Sequence, residues 1–170
     1  TMQKNRKEKV IVFPEMRRKK QQLTQEESIE ILLKGSCGVL ALLGNEDYPY
    51  AVPLSYVYED HKIYFHGAKE GHKLDAIKKH NKASFCVIRQ DQVLPEKFTT
   101  LYKSVIAFGR MRVVEDEEEK RASIVLLGRK YSPGLDEAMK KEIEGSYDRF
   151  HMFALDIEHM TGKQCIELVH

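Results

Sequence analysis

The sequence predicts a mainly β domain with helices, built around a six-stranded antiparallel β-barrel. Three observations lead there. Six runs carry strand patterning, most of them succeed one another at hairpin spacing, and the helical stretches fall between strands without the regular alternation of a parallel α/β fold. The 170-residue chain is long enough for one domain with its own core.

Residues 1–13 read as a flexible basic N-terminal segment and 14–170 as a single domain. The cluster Arg17, Arg18, Lys19 and Lys20 is a solvated lead-in to the first helix, with an alternative use in neutralising a nucleotide phosphate across a subunit interface. Thr24-Gln25-Glu26-Glu27 is a capping box, apolar residues follow from Ile29 to Leu33, and Gly35 ends the helix. Residues 37–43 are apolar enough for a buried strand, and 44–47 form a turn. The run 48–58 alternates, with Tyr48, Tyr50, Val52, Leu54, Tyr56 and Tyr58 on one face. A turn at 59–62 then leads to a third strand over 62–66, so these three strands read as a meander.

A helix over 71–80 buries Leu74 and Ile77 and carries Lys78, Lys79 and His80 at its C-terminus, where the helix dipole favours cations. Strand patterning returns over 82–90, a loop with Pro95 covers 91–100, and a fifth strand covers 104–114. Asp116 is the expected N-cap of a helix that begins Glu117-Glu118-Glu119 and ends Arg129-Lys130. Ser132-Pro133-Gly134 breaks it, a shorter helix runs from about 136 to 147, and the last strand spans 152–158.

Composition removes several classes of function. A net charge of +2 gives no strong field for nucleic acid. No run approaches the roughly 20 apolar residues of a membrane span, and the polar, basic start is not a secretory signal. Three dispersed cysteines, Cys37, Cys86 and Cys165, fit reduced thiols buried in strands and a cytoplasmic setting. No His or Cys spacing suggests a metal site.

Two stretches carry chemistry. In Phe65-His66-Gly67-Ala68-Lys69-Glu70-Gly71-His72-Lys73 a strand ends in a glycine-containing turn and feeds a helix. Free N–H groups of a first helical turn, with the positive end of the dipole, favour a phosphate, and Lys73 adds a full charge. The second stretch is Tyr48-Pro49-Tyr50-Ala51-Val52-Pro53-Leu54-Ser55-Tyr56. Pro49 and Pro53 have the same parity, so both missing donors lie on one edge of the strand. That edge is expected to be unpaired and open to a flat polar heterocycle.

These stretches, with Met16-Arg17-Arg18-Lys19, Ser84-Phe85-Cys86-Val87, Pro95-Glu96-Lys97-Phe98-Thr99-Thr100, Ser104-Val105-Ile106-Ala107-Phe108-Gly109 and His159-Met160-Thr161-Gly162-Lys163, resemble the flavin-binding split-barrel proteins related to pyridoxamine 5'-phosphate oxidase. Within them the chain looks most like the 5-nitroimidazole-resistance branch. The resemblance implies a split barrel and a homodimer with flavin mononucleotide (FMN) in clefts at the interface; flavin adenine dinucleotide (FAD) stays open as the cofactor. Carried over, the ring lies against Val52, Pro53, Leu54, Ser55 and Tyr56, and the phosphate near His66, Gly67, Ala68, His72 and Lys73. Residues of the partner copy around 98–104, Ser104 among them, close the cleft. The implied activity is flavin-dependent reduction of small aromatic substrates such as 5-nitroimidazoles, with His72 or His66 as proton donor. The alternative is a non-catalytic flavin- or haem-binding protein, with His66, His72 or His159 as axial ligand.

Overall fold

The structure, a computed structural model, describes residues 12–170. Most of the flexible segment expected over 1–13 therefore lies outside the described residues. Its last residue, Phe13, is placed: its ring stacks on His159 with centroids 4.6 Å apart.

Seven strands, not six, form one antiparallel sheet. They are β1 (Gly38–Leu43), β2 (Pro49–Leu54), β3 (Val57–Glu59), β4 (Lys62–Ala68), β5 (Lys82–Leu94), β6 (Thr99–Val113) and β7 (Phe150–Gln164), in the order β2-β1-β5-β6-β7-β4-β3. The additional strand arises because the run 48–58 does not continue as one piece. It breaks at Ser55 and Tyr56, so β2 pairs with β1 and β3 pairs with β4. The expected meander is thereby corrected: β2 and β3 occupy opposite edges of the sheet. The three steps from Leu54 to Val57 reach only about 10 Å, so the sheet must roll until the edges approach. That is a barrel left open along one seam, in keeping with the expected split-barrel class.

Both prolines of β2 sit on an edge strand, where a missing N–H is tolerated. The β3–β4 hairpin turns on Asp60 and His61, both at positive φ, as a two-residue turn that follows strand twist requires. β5 and β6 extend past the barrel as a two-stranded ribbon through Leu94 and Thr99, in place of the loop expected over 91–100. That ribbon has no core beneath it, so it shows no strand-like burial alternation. β7 likewise runs beyond 152–158 to Gln164. A register shift between Phe108 and Gly109 lets β6 follow it. Gly109 is required there, because a Cβ would collide with the Asp156 carbonyl oxygen.

The barrel interior is filled by large side chains from alternate strand positions. Tyr56, Phe65, Phe85, Phe153 and Leu155 have no accessible surface. Phe85 meets Tyr56 and Phe65 edge-on, at 5.0 and 5.1 Å between centroids, the arrangement aromatic quadrupoles prefer. Helix α1 (Gln25–Lys34) packs Leu32 into the same cluster. Its capping box is complete: Glu27 N–H donates to Thr24 Oγ1 (3.1 Å) and Thr24 N–H to Glu27 Oε2 (2.8 Å).

A second apolar cluster lies outside the barrel wall. Helices α3 (Glu117–Tyr131) and α4 (Asp136–Ser146) cover Val57, Tyr64, Met152 and Ala154 with Ile124, Leu127 and Ile143. Asp116 occupies the N-cap position of α3 but makes no side-chain cap bond. The helix start is instead tied to the sheet by Arg112. Its guanidinium donates to both Glu119 oxygens (2.7 and 2.9 Å) and to Asp156 (2.7 and 3.2 Å), while Tyr64 Oη donates to Glu119 (2.8 Å). Elsewhere on the outer wall Val39, Ile88, Ile106 and Phe108 are partly or largely exposed, with Phe13 lying against Phe108. Of the three cysteines only Cys165 is buried; Cys37 is exposed and Cys86 half-buried. No described helix is long and apolar enough to cross a membrane.

Candidate functional site

β4 delivers its residues to two sides of the wall. Phe65 points into the barrel and Tyr64 lies under the helical hairpin. His66 follows Tyr64's parity and opens on the outer side. Together with Ser55 it lines a groove of about 680 Å³ between the sheet and helices α3 and α4. His66 keeps solvent access, yet it sits in the floor of a concavity. Burial there, and secondarily the charge of Lys73, hold its imidazole below the usual histidine range.

Lys73 lies in the first turn of α2 (His72–Lys79) and folds back onto Gly67. A Cβ at residue 67 would sit 2.8 Å from Lys73 Nζ, so glycine makes room for the amine. The ammonium also stands 5.3 Å from the centre of the Phe153 ring. Burial lowers its pKa, and among the described residues it has no carboxylate within ion-pair distance. The N-terminus of α2 has no side-chain cap. Its N-cap, Gly71, takes φ +118°, a conformation that favours glycine. An uncapped first turn beside an unpaired, half-buried ammonium, with a cradle that depends on glycine, suits the phosphate of a flavin nucleotide. The residues present therefore fit the group that the sequence implied.

His72 faces elsewhere. Its Nε2 accepts the Asn45 N–H (3.2 Å), and its ring stacks on Tyr50 with centroids 4.2 Å apart. That acceptor role places the imidazole proton on Nδ1 and ties the start of α2 to the β1–β2 turn. The two histidines thus serve different surroundings.

Val52, Pro53 and Leu54 lie on β2 opposite Leu40, Val39 and Gly38. Val52 and Leu54 are half-buried against the barrel core, whereas Pro53 is exposed. Tyr56 belongs to the core itself, with its hydroxyl donating to the Leu32 carbonyl (2.7 Å). Ser55, exposed, is the member of that stretch that reaches the groove. Ala68, exposed at the end of β4, pairs with Phe150. Ser104 sits on the outer wall, opposite Ile88 and Lys163, and β7 separates its strand from β4. Within one copy it does not share the groove with His66.

Sequence patterning did not single out Lys130 and Tyr131 at the end of α3. Tyr131 Oη accepts the Tyr56 N–H (2.8 Å) and donates to the Ser36 carbonyl (2.6 Å). Lys130 Nζ lies 3.9 Å from the centre of the Tyr56 ring, and burial brings its pKa down to about 8. A signal for the α3–α4 contact, though not for these two residues, was present in Gly128: glycine inside a helix costs about 1 kcal/mol against alanine and often marks a close approach. Here a Cβ would collide with the Met139 sulfur of α4.

A family model for pyridoxamine 5'-phosphate oxidase matches residues 24–164. No curated protein matches the chain in sequence. Among solved structures, a candidate 5-nitroimidazole antibiotic resistance protein from Bacteroides thetaiotaomicron superposes with a TM-score of 0.71 at 21% identity, covering 84% of this chain and 86% of that one. An FAD- and haem-binding protein from Mycobacterium smegmatis gives 0.73 at 20% identity, over 86% and 74% of the two chains. An FAD-binding protein from Mesorhizobium loti gives 0.59 at 23% identity, over 85% and 96%. These likenesses are of fold. With the family model matched over most of its length, the chain belongs to the pyridoxamine 5'-phosphate oxidase family.

Proposed function

We propose that the protein is a flavin-dependent oxidoreductase of this family that uses FMN to reduce small aromatic substrates, 5-nitroimidazoles among them. The observation that carries the reading is the place of Lys73: an unpaired ammonium seated on Gly67 at an uncapped helix start, one residue beyond His66 on the strand. The names of the superposable proteins, several of them flavin-binding and one a candidate nitroimidazole-resistance protein, support it.

When bound, the flavin supplies a hydride from its reduced ring. The chain's own residues do the rest. Lys73 and the first-turn N–H groups of α2 hold the phosphate, and Gly67 lets the ammonium approach. The open edge of β2 meets the heterocycle with backbone groups. His66, the histidine that opens on the groove, is the candidate for contact with substrate. Its lowered pKa keeps it largely uncharged at neutral pH, so it offers a neutral N–H to the oxygen that gains charge. His72 positions the start of α2 through Asn45.

The exposed apolar side chains Val39, Ile88, Ile106 and Phe108 are the seat for a second copy, giving a homodimer. The assembly is assigned to the cytoplasm, in line with three cysteines that form no disulfide.

Absorption of the purified protein tests the proposal. A flavin spectrum, FMN released on denaturation, and reoxidation of the reduced protein by a 5-nitroimidazole faster than free reduced FMN are expected. A colourless protein that takes up no added FMN overturns it. Binding without faster reoxidation leaves a flavin-binding protein that does not reduce these compounds.

A further inference from the structure

The groove that holds His66 and Ser55 is much larger than a single nitro-substituted five-membered ring needs. Its volume of about 680 Å³ falls in the range of roughly 300–1,000 Å³ that encloses drug-sized molecules. From the His66 end it continues between α3 and α4 over Leu127, Leu135, Met139 and Ile143. Among the residues lining it there is no lysine or arginine, and the one carboxylate is Glu142. Such a wall disfavours an anionic tail and does nothing to favour a cationic one beyond that single charge. It is suited to largely uncharged apolar matter, with Ser55 and His66 as polar groups on its sheet side.

The groove is open because of how the hairpin is held. Gly128 lets Met139 of α4 approach α3 closely. The Arg112–Glu119–Asp156 ion pairs fix the N-terminal end of α3 to β6 and β7, and Tyr131 fixes its C-terminal end at Tyr56 and Ser36. Lys120, buried, donates to the Tyr147 carbonyl (3.1 Å) and ties α3 to the end of α4. The hairpin is thus pinned at three places around a space its own side chains do not fill.

From this geometry we infer that the groove between α3 and α4 is the site for an extended, neutral, apolar substituent carried by the ring substrate, with the ring itself at the His66 and Ser55 end. The inference rests on the flavin reading for the identity of the reducible ring. Its substrate class is a neutral, reducible ring compound with a long alkyl or aryl side chain, for which a quinone serves as probe, rather than a bare nitroimidazole. His66, the proposed contact with substrate, lines the groove beside Ser55.

The test uses 1,4-naphthoquinones bearing no chain, a four-carbon chain or an eight-carbon chain at position 2. Their dissociation constants are measured by calorimetry on the full chain, with and without FMN, and FMN affinity is measured separately. Affinity is expected to rise with chain length, by at most roughly fourfold per methylene. Ala138→Trp adds bulk at an exposed groove position, and should abolish that gain while FMN affinity stays within twofold. Gly128→Ala, which forces the groove-lining Met139 to shift, should change the gain as well. Equal affinity for the three quinones in protein that binds FMN overturns the inference and leaves the flavin reading standing. The same flat result follows if a second copy covers the groove, and it overturns the inference equally. Failure to bind FMN overturns the flavin reading instead. The chain-length series without FMN then decides the groove by itself: a gain that Ala138→Trp abolishes supports an apolar site, and a flat series ends it.

Discussion

Tyr131 holds Tyr56 by its backbone. One hydroxyl, at the C-terminal end of α3, accepts the Tyr56 amide at 2.8 Å and donates to the Ser36 carbonyl at 2.6 Å. Tyr56 is where the chain passes from one sheet edge to the other, so no ladder partner is available to that amide. The phenol replaces it.

Removing the hydroxyl with Tyr131→Phe leaves a donor and an acceptor without this partner. The expected loss is about 1–3 kcal/mol, read as a lower urea midpoint with an unchanged slope. An unchanged midpoint would mean that water replaces the phenol at no cost.

Lys73→Ala should weaken FMN binding by about 10- to 100-fold, the worth of a charge-assisted hydrogen bond. Titration of flavin fluorescence measures it. Folding should be largely retained, because among the described residues the ammonium has no ion-pair partner to strand. Affinity equal to that of the parent protein removes Lys73 from the site.

Glu119 gives a pH dependence of known sign. Its hydrogen bonds with Arg112, which outweigh the opposing effect of burial, keep its carboxyl below the ordinary value of 4.5. The stability it contributes is therefore present above that value and is lost as pH falls through the lower folded pKa. Glu119→Gln should flatten the acid limb of a Tm-against-pH curve below about pH 4.5 and lower Tm at pH 7. Because the pair is partly exposed, the neutral-pH loss should be on the order of 1 kcal/mol. Identical acid limbs for the two proteins would refute the assignment.

Lys130 acts with the same sign in a higher pH window. Burial lowers its pKa to about 8, below the ordinary 10.5. The unfolded chain then binds more protons between these values, so this residue makes folding more favourable as pH rises from about 8 to 10.5. Competitive acetylation should show one lysine with a midpoint near 8, absent in Lys130→Met. A midpoint above 10 would place the amine in open solvent.

Gly109→Ala should cost about 3 kcal/mol, because the new methyl meets a backbone carbonyl, at Asp156, that cannot swing aside. Thermal unfolding measures it. A variant as stable as the parent would show that the β6–β7 register shifts freely.

The sequence made the barrel legible because its interior alternates. Tyr50, Val52, Leu54, Tyr56 and Tyr58 carry one parity and pack on one core. The capping box at Thr24 and the breaker at Ser132-Pro133-Gly134 were equally readable, since each acts within a few residues. The break at Ser55 was not, because parity continues through it and only the pairing partner changes. The ribbon over 91–100 was hidden for a different reason: strands without a core beneath them lose their alternation. At the site, the Lys73 turn was visible as a local strand-turn-helix. The groove was not, since it depends on how α3 and α4, more than 50 residues from His66 in the chain, settle on the wall. Nor does local sequence say that His72 turns to Asn45 while His66 turns to the helices.

The passage through Ser55 and Tyr56 has a consequence for biogenesis. β4 finds its lateral neighbour in β7, which emerges from the ribosome after the other described strands, and β3 has its ladder partner in β4 alone. Until residue 150 and beyond have emerged, both strands lack that support, and the seam beside the future flavin pocket has no wall. Such distant pairings slow folding, so the site on β4 waits on β7, and truncation of β7 removes its support.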